Sequence, residues 1–521
     1  MRSRGLLLVV PLAWVACFSQ SSGGSPQVDF DASFDASFDG STEDSEAPEA
    51  TVDAPVEAST VVDSAVVDVV EAGPPAVTVV VGGAAGFESG VPVVFTDATG
   101  ATVYSNMTTN AAGQASFAFP SGGGAATVIL GTPSYPAIYT YLGLTPGQTV
   151  LVVDQASLTA LFSETAPTAN LATVPAAPTF DGGIANYTMQ AGSCQSSSQS
   201  LPLDVSLLPH GSGAPCIGLG PVGASFGAVF PALVQAEDGV GNLLGFAGSK
   251  NNPLATGADA GLSNVTLPAT WSTTTTQQFV AVSNVPDGGT PPSVTYSEVA
   301  DGIFNTLQPS APSIDAGAPP EALAVVTTHP GFPDAVQAES QVVRYTSGES
   351  VYAVVQRAAS PTADGTITLD QTPVGTAPAI TGATTTATAQ PTVSWTLASG
   401  SGNFGSATGI VSLVNWSAMT ADGGFQSGNW TIVSPGTTVN AVQVPALPPM
   451  FSDYAPAAGA SAFLNDLYAV YGETAVPDYA SLLSIASLFP QNGCSFSTPM
   501  APPLPFPGTA FILAFAPQIQ C

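Results

Sequence analysis

Basic side chains are nearly missing from this chain. Lys and Arg number 5 against 37 Asp and Glu in 521 residues, and the formal net charge is −32. Arg2 and Arg4 occupy the first turn of sequence, which leaves Lys250, Arg344 and Arg357 for everything else. Nucleic-acid binding rests on Lys and Arg neutralising phosphates, so no nucleic-acid partner is expected. The same shortage excludes a polybasic patch for anionic lipid. The sole lysine sits in GSKNNP with no G-x-x-x-x-G-K-[ST] around it, which removes a phosphate-cradling loop. Histidine is equally scarce. His210 and His329 each have Gly or Pro within two residues, and no His, Cys and carboxylate ligands recur at the close spacing of a metal site. Neither a metal nor a cofactor is expected.

Charged residues of all kinds are 8% of the chain, against about 25% in an ordinary soluble protein. The surface must therefore be covered by Ser, Thr, Asn, Gln and Gly. Gly (53) and Pro (47) together approach a fifth of the residues, which favours short strands and many turns over long helices. A mainly β fold follows.

What is present begins at the N-terminus. MRSRGLLLVVPLAWVAC has a basic start (Arg2, Arg4) and an apolar run too short to span a ~30 Å hydrocarbon core, which is the make-up of an export signal over residues 1–16. The residues Trp14-Val15-Ala16-Cys17 resemble the lipobox of bacterial lipoproteins, with Trp14 where Leu is usual. The resemblance implies that Cys17 is diacylated and becomes the new N-terminus. It places the protein in the bacterial cell envelope, at the outer membrane or cell surface, with the membrane as a partner through the lipid. Setting Cys17 aside leaves an even set, Cys194, Cys216, Cys494 and Cys521, suited to an oxidising compartment. Four cysteines allow three connectivities, and sequence locality selects Cys194–Cys216 and Cys494–Cys521.

Residues 17–75 carry a DASF tandem repeat, and 13 of the 37 acidic residues lie between Asp29 and Glu71 with no Lys or Arg. Like-charge repulsion predicts an extended, disordered spacer there. A folded body should begin near residue 76. In 76–154, VPVVF, ATVYS, QASFAF and AATVIL read as strands separated by TDATG and TNAAG turns, and strands every 8–12 residues argue a β-sandwich. GVPVVFTDATGATV followed by TTNAAGQASFAFP resembles bacterial immunoglobulin-like and carboxypeptidase-regulatory-like domains, with Asn110, Gly113 and Phe117 on the motif. That resemblance implies a spacer or adhesive module and brings no catalytic residue. Residues 155–320 and 321–521 are expected as two further β-rich domains. A hairpin is predicted around Ser347-Gly348. VPDYASLLSIASLFP, with Pro477 near its start and Leu482, Leu483, Ile485 and Leu488 at helical spacing, predicts a short C-terminal helix. ASAFLNDLYAVYG (460–472) is a candidate for a second.

Two readings of chemistry compete. GASFG (223–227) fits G-x-S-x-G, which would make Ser225 a nucleophile with His329 as base and Asp287 or Asp301 as the acid. A chain this rich in Gly and Ser yields about 0.5 such matches by chance, and the strand before and helix after that an elbow needs are missing. Trp416 in VNWS and Trp430 in GNWT lie in neighbouring predicted strands, where paired rings could stack on a sugar, although core packing is the commoner fate of strand Trp. The sequence thus predicts a non-enzymatic exported surface lipoprotein with a structural, adhesive or ligand-binding role, its partner a surface protein or glycan. A carbohydrate-binding protein and a secreted hydrolase using Ser225 are the alternatives.

Overall fold

The computed structural model describes residues 75–515 apart from 84–85, 120–121, 155–167, 176–182, 192–193, 208–228, 254–261, 286–292, 301–302, 308–312, 315–321, 347–348, 360–364, 374–376, 387, 401, 420–423, 458 and 490–507. The described chain is mainly β, as composition and alternation predict. Its largest element is a 12-stranded sheet. In chain order its strands are β1 (Pro92–Asp97), β2 (Thr102–Thr108), β3 (Gly124–Thr132), β4 (Tyr135–Leu144), β5 (Ser293–Ala300), β6 (Ile303–Leu307), β7 (Ala335–Thr346), β8 (Glu349–Ala359), β9 (Gly409–Met419), β10 (Phe425–Pro435), β11 (Ser461–Gly472) and β12 (Gly508–Phe515). Across the sheet they run β6-β5-β7-β8-β12-β11-β9-β10-β4-β3-β1-β2. Neighbours are antiparallel except β10 and β4, which pair in parallel from Asn429↔Ala137 to Val433↔Tyr141. That single pairing joins strands from the stretch 76–154 to strands from 321–521.

The middle of the sheet is buried on both faces, and the alternation of its central strands divides between two cores. In β9, Val411 and Leu413 belong to one core, while Ile410, Val414 and Trp416 belong to the other. Two-sided burial explains why GIVSLV is apolar almost without interruption. A sheet with one wet face would alternate apolar with polar residues instead.

The first core is covered by the strand Val77–Gly83 and its neighbours, by the sheet of Asn186–Ala191 and Val229–Glu237, and by the helix α1 (Tyr479–Ile485). The second is covered by the sheet containing Thr276–Ser283 and Ala322–Thr328 and by that of Ile380–Thr385 and Thr392–Leu397. The result is layered, with the long sheet in the middle.

Local chemistry accounts for the turns. Asn110 Oδ1 accepts from the N–H groups of Ala112 (2.9 Å) and Gln114 (3.0 Å). Gly113 takes φ +66°, where an added Cβ would lie 2.4 Å from the Val81 carbonyl oxygen, and Phe117 stacks on Phe95 at 5.4 Å. The Asn, Gly and Phe of the TNAAGQASF motif are thus cap, turn and core contact. The hairpin predicted around residues 347–348 forms, with Thr346 opposite Glu349. α1 is capped by Asp478, whose carboxylate accepts from Ser481 N at 2.8 Å. It buries Leu482, Leu483 and Ile485 against the strand Thr149–Val153. The candidate second helix is corrected: 461–472 is the strand β11. Its Tyr468 and Val470 enter one core and Leu467 and Ala469 the other. A period of two, imposed by partners on both sides, overrides local spacing.

Trp416 lies opposite Gly428, and a Cβ added at Gly428 would stand 2.4 Å from Trp416 Cζ2 and 2.8 Å from Pro136 Cγ. Overpacking of this kind costs about 1–3 kcal/mol. Gly428→Ala is expected to lower the unfolding free energy by that amount, read as a lower urea midpoint at unchanged slope. An unchanged midpoint would show that the indole is free to shift.

Candidate functional site

The described residues most like a chemical centre converge where three sheets meet. β5 carries Glu298 in phase with the buried Tyr296 and Ala300. His329 follows the strand Ala322–Thr328 at the head of His329-Pro330-Gly331-Phe332. That turn closes through Phe332 N to His329 O (3.0 Å), with Gly331 at φ +85°. Gln235 comes from the strand Val229–Glu237. Glu298 is 0% and His329 1% exposed.

The Glu298 carboxylate accepts from the His329 backbone N–H (2.7 Å) and lies 2.9 Å from Nδ1, while Nε2 lies 2.8 Å from the Gln235 amide nitrogen. The network assigns the proton: Nδ1–H donates to Glu298, and the Nε2 lone pair accepts from Gln235. The Phe246 ring meets the imidazole edge-on at 4.8 Å. Beside it, burial and then the charge of Glu298 raise the Tyr296 hydroxyl well above the ordinary tyrosine range, and that hydroxyl has no hydrogen-bond partner.

A carboxylate orienting an imidazole is the second half of a hydrolytic triad. Here the carboxylate on the imidazole is that of Glu298. Both imidazole nitrogens are engaged and the ring is out of contact with solvent. Ser225, Asp287 and Asp301 lie outside the described residues, as do Cys17, Cys216, Cys494, Cys521 and His210. Cys194 opens the strand Cys194–Ser198 at 8% exposure and is disulfide-bonded. An acid in phase with core residues in SVTYSEVA was the sequence signal for Glu298.

The paired tryptophans are corrected. Trp416 and Trp430 are neighbours at 6.2 Å, but they are 1% and 0% exposed and stand inside the second core. Trp430 Nε1 donates to Thr140 Oγ1 at 2.9 Å across the β10–β4 junction. Neither ring presents a face for a sugar.

Other polar features are distributed. Lys250 pairs with Asp334 at the surface. Burial, then the charge of Asp154 and a hydrogen bond with it, push Glu88 up to about 7. Burial alone pushes Asp466, at a β-bulge of β11, up to about 7. An open groove of about 380 Å³ lies between the β1–β2 turn and residues Gln443–Pro445. The Asp97 carboxylate at its rim is held below the usual range by the Thr99 hydroxyl. Among the described residues no group of three or more His, Cys, Asp or Glu could hold a metal ion, and no helix is long and apolar enough to cross a membrane.

These features define a layered, mainly β protein with a sealed Glu–His pair. No protein-family model matches the chain, and no curated protein matches it. Among solved structures, the crystal structure of the major pilin subunit BcpA of Bacillus cereus is similar over 57% of this chain and 99% of that one. The identity is 8% and the TM-score 0.13, too slight an overlap to define a common fold.

Proposed function

We propose that this is an exported, lipid-anchored envelope protein whose β body has a structural, adhesive or ligand-binding role rather than a catalytic one. Cys17 carries the lipid, the acidic stretch to residue 75 is the spacer, and the two expected disulfides staple the body in an oxidising compartment. One feature of the geometry supports this reading above the others: how the body takes up the tether. The strand Val77–Gly83 follows directly, pairing in parallel with Thr149–Val153 along Thr78–Gly82 and antiparallel with Gln114–Phe117 along Val77–Val80. Val77, Val79 and Val81 are fully buried. Tension from the spacer along such a strand loads both ladders in shear, so many hydrogen bonds share it, which suits a body held at a surface. Metabolic labelling with a fatty acid tests the anchor. Label is expected in the wild type, and Cys17→Ala should lose it and move from the membrane to the soluble fraction. Unlabelled wild-type protein would overturn the reading.

A further inference from the structure

The strands that bury Trp416 and Trp430 carry a different set of residues on their other side. Alternation puts Asn415, Ser417 and Met419 of β9 on the face opposite to Trp416. The register sets Asn415 beside Asn429, Ser417 beside Ser427 and Met419 beside Phe425. Extending the β10–β4 register by two residues places Tyr135 next to Ser427, and Ser427 N donates to Ser134 O at 3.0 Å. All of these lie on the side of the first core, beyond the point where other layers cover it. Tyr135 is 66%, Met419 70% and Phe425 50% exposed. The Asn and Ser pairs beside them are partly exposed. Asn429 Oδ1, at the inner end, is buried and has no hydrogen-bond partner.

The geometry points to a platform for a neutral polysaccharide chain on this end of the sheet. Two exposed rings, Tyr135 and Phe425, offer apolar surface for sugar C–H groups; the Ser417 and Ser427 hydroxyls beside them, and the Asn415 and Asn429 amides one row further in, supply donors and acceptors for hydroxyls. None of these side chains is charged, in a chain of net charge −32, so the face suits an uncharged ligand rather than an ionic one.

The platform is also rigid. On the far side of β10 the Gln426 amide, 4% exposed, donates to the carbonyls of Pro133 (3.0 Å), Asp453 (2.9 Å) and Ala455 (3.3 Å), which fixes β10 against the β3–β4 turn and lowers the ordering cost of binding. The opposite end of β4 leads into the turn that meets the start of the body, where Gly147 N donates to Ala76 O. Tyr135 therefore stands about 30 Å along β4 from that end of the strand. This deepens the ligand-binding reading above and shares only its surface location with it.

Affinity electrophoresis of the full chain in detergent, through gels containing dextran, laminarin or galactomannan, tests it, with alginate as the acidic control. Retardation by at least one neutral polysaccharide and none by alginate is expected. The double change Tyr135→Ala with Phe425→Ala should weaken it at least tenfold, and Tyr135→Phe should retain it. Tyr135→Ser, a change at a largely exposed position, gives the same readout without burdening the fold. Equal mobility in every gel, or retardation unaltered in the double variant, overturns the proposal. So does self-association of the wild type by light scattering that the double variant abolishes, because the face is then an interface between copies. Cys17→Ala should be retarded like the wild type, so failure of the anchor and failure of the platform are read separately.

Discussion

Replacing His329 with alanine is expected to destabilise the body by about 2–4 kcal/mol, the cost of removing a hydrogen bond to a buried carboxylate together with the buried ring that makes it. Glu298 is fully buried and its two oxygens are served by the same residue, through the backbone N–H at 2.7 Å and Nδ1 at 2.9 Å. Alanine keeps the backbone bond and removes the ring, so one carboxylate oxygen loses its donor. Gln235 loses its acceptor too, but as a partly exposed amide it can turn to water. Gln235→Ala leaves the buried Nε2 of His329 without its donor and should cost about 1–3 kcal/mol. Urea unfolding of the two variants measures both. A loss below about 1 kcal/mol for His329→Ala would show that water reaches Glu298, and the description of the pair as sealed would be wrong.

The second large effect is a dependence on pH set by Asp466. Burial moves its carboxyl from 3.8 to about 7, and Asn465 Nδ2 donates to Oδ2 at 2.9 Å. The folded state thus holds this proton more tightly than the unfolded chain does. Its contribution is complete below the unfolded value near 4 and is lost as pH rises through about 7. The loss is of order 4 kcal/mol at most, from 1.36 kcal/mol for each tenfold change in proton affinity. Glu88 acts in the same direction through burial and Asp154, with a smaller effect because it is partly exposed to solvent. Asp466→Asn keeps the shape and an acceptor for Asn465 without a charge. Stability of the variant should match the wild type at pH 4 and exceed it at pH 8. Parallel pH profiles for the two proteins would mean that Asp466 is solvated.

Much of the local structure was legible in the residues. The Asn110–Gly113 turn and the Asp478-capped helix are decided by short-range bonds that a few neighbouring residues make among themselves. The strand β11 was not legible, because FLNDLYAV carries apolar residues on both sides and only its partners choose between a period of two and one of 3.6. For the tryptophans, GIVSLVNWSAM and FQSGNWTIVSP show two alternating sets without saying which set is covered. The chain's most conspicuous rings proved to be core, and the less conspicuous Asn, Ser, Tyr135 and Phe425 proved to be surface. The Glu298–His329–Gln235 contact joins residues up to 94 positions apart, which no local pattern encodes.

By itself, the sequence determined that this protein is β-rich, acidic, and poor in lysine, arginine and histidine. Those properties depend on composition and on short stretches, which act wherever they stand in the chain. Only the tertiary structure decided that β4 lies beside β10, with Thr140 and Trp430 bonded across 290 residues. It also decided which side of those strands is left open. Backbone ladder bonds are the same for every residue and carry no address, so the choice of neighbour falls to side-chain packing across the whole body.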